Sequence, residues 1–180
     1  MKDETGESQK LVGELKLYGL FRTFRVVEWL DMQNILPDIS RKTALRYQQE
    51  LTEAGLIAVR FSRRENAYVH CAPPRATLPE GNTMARRHLI RLNRLCRAAF
   101  VVAEIYQNDV PPDDEGAANR RTCQQWYQAE FPEICARTRQ RDLKLLTYLC
   151  SDRERALFDC GDYLMFSDID ALYGAPAAVL

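Results

Sequence analysis

Histidine, tryptophan and net charge are what this sequence has least of: two His and two Trp in 180 residues, with 25 Lys and Arg matched by 25 Asp and Glu. Zero net charge argues against a non-specific nucleic-acid coat, which would be strongly basic. None of the six cysteines (Cys71, Cys96, Cys123, Cys135, Cys150, Cys160) forms a CxxC pair, and His70 and His88 lie far from any cysteine pair. Zinc-site spacing is therefore missing, and neither a metal nor a cofactor is expected. The cysteines read as small buried hydrophobes in a reducing compartment. No apolar run approaches the roughly 20 residues that span a bilayer. The first eight residues are polar and acidic, unlike a signal peptide. A cytoplasmic protein without membrane contact is expected. Catalytic signatures are lacking too: no Gly-rich phosphate loop, no HExxH, no nucleophile elbow and no histidine beside a candidate nucleophile. Asp159, Asp162, Asp168 and Asp170 fall on a predicted turn and tail and read as a solvated rim. No enzyme is expected.

What is present begins with punctuation. Residues 1–9 read as a disordered N-terminus. From Leu11, the apolar positions Leu11, Val12, Leu15, Leu17, Leu20 and Phe21 recur at helical spacing and predict a helix to about Arg22. Arg25-Val26-Val27 is β-branched enough for a brief strand. A short helix then carries Trp29, Leu30 and Met32 inward and stops at Pro37. The next helix is the best marked in the chain. Ser40 or Asp38 can cap it, and Gly55 can end it in the left-handed conformation. Ala44, Gln48 and Leu51 share one face, while Arg41, Lys42, Leu45, Arg46 and Gln49 project from the other. Two β-rich runs, residues 56–61 and 67–70, flank the polar tip Ser62-Arg63-Arg64-Glu65-Asn66 and read as a hairpin. Three helices followed by a hairpin is the winged-helix order.

Residues 72–83, rich in proline, read as a linker. A long helix follows, from about Met84 to Gln107. Leu89, Leu92, Leu95, Ala99, Val102 and Ile105 form its apolar stripe, with Arg87, Arg91 and Arg94 beside it as a solvated face of a packing or dimer helix. Residues 108–116 read as a solvent loop. Then the marked helix returns. At an offset of 95 residues, twenty positions from Leu36/Phe131 onward align without a gap, and six are identical: Pro37/Pro132, Ile39/Ile134, Thr43/Thr138, Arg46/Arg141, Leu51/Leu146 and Thr52/Thr147. The same offset sets Trp126 in the second short helix and carries Tyr68-Val69 onto Tyr163-Leu164. That pair lies inside a second predicted hairpin, Arg155 to Phe166, whose tip is Asp159-Cys160-Gly161-Asp162. Trp29, Trp126, Tyr68 and Tyr163 read as packing residues. Internal duplication accounts for the echo. The expected fold is mainly α with small β-hairpin wings: tandem winged helix-turn-helix repeats joined by a linker and a long helix. Their bounds are 10–71 and 84–166, with a C-terminal tail at 167–180.

Thr138-Arg139-Gln140-Arg141-Asp142-Leu143-Lys144 resembles the recognition helix of the DeoR-like winged-helix domains that stand at the front of bacterial WYL-domain transcriptional regulators. Ser40-Arg41-Lys42-Thr43-Ala44-Leu45-Arg46, with its exit Ala54-Gly55-Leu56-Ile57, is similar to the wider bacterial winged-helix class. The resemblance covers about residues 10–70 and 84–166, although only the helix motifs are specific. It implies sequence-directed binding of double-stranded DNA by a transcription regulator, with a homodimer as one arrangement. The departures matter as well. A WYL regulator would continue into a ligand-sensing domain, which is not expected here, Leu45 and Tyr47 replace the signature Gln and Asp, Cys135 replaces a capping serine, and the second wing tip is acidic.

The physical case for DNA rests on dimensions and donors. A helix of about 14 residues is near 21 Å long and fits a major groove about 12 Å wide. Ser40, Arg41, Lys42, Thr43 and Arg46 in the first unit, and Arg137, Thr138, Gln140, Arg141 and Lys144 in the second, can divide between phosphates and base edges. Arg63 and Arg64 on the first wing would hold the backbone or enter a minor groove. The rival reading is a winged-helix adaptor, such as a phage or mobile-element inhibitor, that grips a protein or nucleoprotein partner. Zero net charge and the acidic second wing favour it.

Overall fold

The computed structural model describes residues 3–108 and 115–149. The chain divides into two compact units, with the boundary after Cys96. In the first, α1 (Asp3–Thr23) is followed by β1 (Val26–Val27), α2 (Trp29–Ile35), α3 (Arg41–Glu53), β2 (Val59–Ser62) and β3 (Ala67–His70), and then by the start of α4 (Met84–Asn108). The strands make one antiparallel sheet in the order β1-β3-β2. Val27 pairs with Tyr68, and Phe61 faces Tyr68 from the other side, so β3 is central. The described part of the chain is mainly helical with this small sheet.

Helix α1 is the core of the first unit. Leu11, Leu15, Leu17, Tyr18, Leu20 and Phe21 are all buried, which is more than one helical face can hold. A helix apolar nearly all round belongs inside. Gly13 permits part of this, because a Cβ there would lie 2.7 Å from the ring of Tyr47 on α3. The helix opens at Asp3, eight residues before the apolar spacing that predicts it and within the stretch expected to be disordered. Once a buried segment nucleates a helix, each added residue gains a backbone bond at little cost.

Helix α3 forms where its punctuation predicts. Ser40 Oγ accepts from the Thr43 N–H at 3.2 Å, capping the first turn. At the far end, Leu56 N–H donates to Leu51 O and Gly55 N–H to Thr52 O, both at 3.0 Å. With Gly55 at φ +73° this is a Schellman stop, and Leu51 and Leu56 are buried beneath it. The proline-rich stretch expected to be a linker is tied to this stop. Ala76 bridges Ala54, and Thr77 N–H donates to Glu53 O at 2.8 Å. The side-chain amide of buried Asn93, on α4, donates to Ala54 O at 2.9 Å. The unit boundary accordingly falls inside α4 and not in the proline-rich stretch.

The second unit holds the rest of α4, then α5 (Glu115–Glu130) and α6 (Ala136–Leu149). Its core contains Cys123, Tyr127, Phe131, Leu143 and Leu146. Trp126, Tyr127 and Phe131 meet edge-on or tilted, with centroids 4.9–6.4 Å apart. The turn between α5 and α6 repeats the one between α2 and α3, bond for bond at the offset of 95. Leu36 N–H to Met32 O, Ile39 N–H to Leu36 O and Ala44 N–H to Ser40 O reappear as Phe131 to Tyr127, Ile134 to Phe131 and Arg139 to Cys135. The predicted second hairpin, with Tyr163 and its acidic tip, lies outside the described residues, as do the tail, Cys150 and Cys160.

Three side chains differ from their expected burial. Leu30, expected inward, is 60% exposed, because Met32 and Leu36 fill the inner side of the short helix α2. Cys71 and Cys135, expected as buried hydrophobes, are both exposed. Cys135 occupies the N-cap position of α6, where Ser40 stands in α3, and its thiol lies 3.3 Å from Thr138 Oγ1. Ser40, at the equivalent position of α3, is exposed as well.

Candidate nucleic-acid interface

The exposed side of α3 carries Arg41, Lys42, Leu45, Arg46 and Gln49, with Ala44, Tyr47 and Leu51 buried opposite. Two of the cations lie against aromatic rings: the Arg41 guanidinium sits 5.6 Å from the Trp29 ring centroid and that of Arg46 5.8 Å from Tyr47. Such contacts steer a long side chain while leaving its N–H donors available. Ser40 and Thr43 face each other, with hydroxyls 3.0 Å apart, so their side chains serve the helix cap. Arg63 and Arg64 are exposed in the turn between β2 and β3, where Asn66 takes a positive φ of 51°.

In the second unit Arg137, Gln140, Arg141 and Lys144 are exposed on α6, and Thr138 is half-buried. The acid inside this motif points the other way. Asp142 is fully buried and accepts a 2.8 Å hydrogen bond from the Tyr127 hydroxyl. Helix α3 sorts its acids similarly. Glu53 accepts from the Gln49 amide at 2.8 Å, and Glu50 turns inward. Asp142 on α6 and Glu50 on α3 are thus turned into their units, while Glu53, at the far end of α3, keeps its charge beside the neutral Gln49 amide.

The inward side of Glu50 holds a polar cluster that sequence reasoning missed. Glu14 on α1, Glu50 on α3 and His88 on α4 converge, with His88 Nε2 at 3.0 Å from Glu14 Oε1 and 3.1 Å from Glu50 Oε2. Lys10 adds an ion pair to Glu50 and lies 3.7 Å from Glu14 Oε1. Burial pushes the Glu14 carboxyl up to about 7 against the pull of His88. For Glu50, burial is outweighed by His88, Glu14 and Lys10 together, which hold it well below the usual carboxylate range. His88 is likewise opposed by burial, but its two carboxylate partners raise it to about 9. One signal for this cluster was present in the sequence: Glu14 stands between Leu11, Leu15 and Tyr18 on an otherwise apolar helical face.

No helix among the described residues is long and apolar enough to cross a membrane. Comparison with protein-family profiles, curated proteins and solved structures finds no match.

Proposed function

We propose that the chain is a DNA-binding transcriptional regulator built from two winged helix-turn-helix units, with α3 and α6 as recognition helices. The observation that carries this reading is the sorting of charge on those two helices. A merely solvated helix has no need to hide its acids, because exposed pairs of opposite charge contribute little and help solubility. A phosphate-facing helix gains from hiding them. The element order α1-β1-α2-α3-β2-β3, the central β3 and the arginine-tipped turn support a winged helix in the first unit. The bond-for-bond turn at the offset of 95 supports a second helix-turn-helix and hence a tandem arrangement.

A second reading, an adaptor for a protein or nucleoprotein partner, draws on a different observation. Leu30, Leu45 and Phe61 are exposed on α2, α3 and β2, and large apolar side chains there suit a protein surface better than a phosphate backbone. Fluorescence anisotropy on random duplex DNA at low salt decides between them. Binding that is lost in an Arg41/Lys42/Arg46→Ala variant with unchanged circular dichroism is the expected result. No binding by the wild-type chain rejects the DNA reading and leaves the adaptor.

A further inference from the structure

The geometry points to a binding site for one divalent transition-metal cation, zinc or its close relatives, formed by Glu14, Glu50 and His88 in the core of the first unit. Three helices that are distant in sequence each bring one donor to a common point, and all three ligand atoms lie within 4.8 Å of one another. Around a tetrahedral cation with bonds of about 2.0–2.2 Å, neighbouring ligand atoms stand about 3.3–3.6 Å apart. The two closest separations, 3.0 Å and 3.1 Å, are shorter than that by a few tenths of an ångström, so a cation would enter by a small outward shift of the side chains.

Hydrogen bonding alone leaves the cluster incompletely satisfied. His88 Nε2 faces two carboxylate oxygens and has at most one proton to give them. Glu14 is fully buried, yet its second oxygen, Oε2, has no hydrogen-bond partner. A buried carboxylate oxygen without a donor is costly, and a cation between the two carboxylates removes that cost. Two oxygens and an imidazole nitrogen suit Zn²⁺, Co²⁺ or Mn²⁺ better than a soft ion such as Cu⁺.

Lys10 is the competing cation. Its ammonium pairs with Glu50, and its side chain is 29% exposed on α1, so it can turn to solvent when a metal enters. Glu50 lies one turn beyond Arg46 on α3 and meets Lys10 of α1 and His88 of α4. A bound ion would brace the C-terminal half of that helix through this side chain.

The test uses the full chain and Co²⁺ as a spectroscopic probe, with Zn²⁺ as competitor. The expected result is one Co²⁺ per chain, d–d bands without thiolate charge transfer, displacement by Zn²⁺ and a rise in melting temperature. Glu14→Gln and His88→Gln should each weaken binding at least a hundredfold. Lys10→Met should tighten it about tenfold or more by removing the competing charge, and this variant keeps the test decisive if the other two fail to fold. Thiolate bands would place the ion on cysteine and overturn the assignment. So would the absence of stoichiometric binding, or an affinity unchanged in Lys10→Met.

Discussion

Replacing Gly55 with alanine separates two demands made at the end of α3. The first is conformational: at φ +73° a side chain costs about 1–2 kcal/mol. The second is steric, since an added Cβ would lie 2.6 Å from the Ala76 backbone nitrogen and 2.9 Å from its Cα. Backbone cannot rotate aside as a side-chain tip can. Ala76 must retreat, which threatens the Thr77–Glu53 hydrogen bond, worth about 1 kcal/mol, and adds overpacking strain of about 1–3 kcal/mol. Gly81 supplies the control. Its φ is +71°, but nothing lies within 4 Å of the position a Cβ would take. The conformational cost and the entropy lost from the unfolded chain are common to both substitutions and cancel in the difference. Gly55→Ala is therefore expected to destabilise by about 2–4 kcal/mol more than Gly81→Ala, measured by urea denaturation with circular dichroism. Two variants within about 1 kcal/mol of each other would refute the claim that residues 72–83 are docked against α3.

Tyr127→Phe removes the hydrogen bond to the buried Asp142 carboxylate and is expected to cost about 1.5–3 kcal/mol, read as a shift in denaturation midpoint; a change under about 0.5 kcal/mol would contradict it. His70, held below its ordinary 6.5 chiefly by burial, sits with Nε2 2.8 Å from the Phe21 carbonyl oxygen. Its folded pKa is depressed, so its contribution to stability is intact above pH 6.5 and is lost as pH falls through the folded value. His70→Gln should flatten that acid-side decline in a pH series of denaturation midpoints, and an unaltered slope would assign the decline elsewhere.

Local signals made α3 legible from sequence: a capping serine, a terminal glycine and apolar residues at helical spacing act within one or two turns. The turn between α5 and α6 was legible for the same reason, since Pro132, Ile134 and Thr138 repeat Pro37, Ile39 and Thr43. The inward turn of Asp142 was not, because the offset sets it against Tyr47, and only the fold brings it to the Tyr127 hydroxyl. Nor was the cluster of Lys10, Glu14, Glu50 and His88. Its members lie on three helices far apart in the chain, and only Glu14, set among apolar residues, does not resemble a surface charge. Leu30 shows the converse limit. On a helix as short as α2, one apolar residue can face out without spoiling the pattern that predicts it inside.

The central claim, that the cationic faces of α3 and α6 meet phosphate, is tested most directly by salt dependence. Each phosphate contact contributes about 0.9 to the slope of log affinity against log salt on duplex DNA. If Arg41, Lys42 and Arg46 each neutralise one phosphate, the triple alanine variant should show a slope shallower than wild type by about 2.7. An Arg137/Arg141/Lys144→Ala variant should lose a similar amount through α6. Slopes that do not differ among the three proteins would contradict the claim.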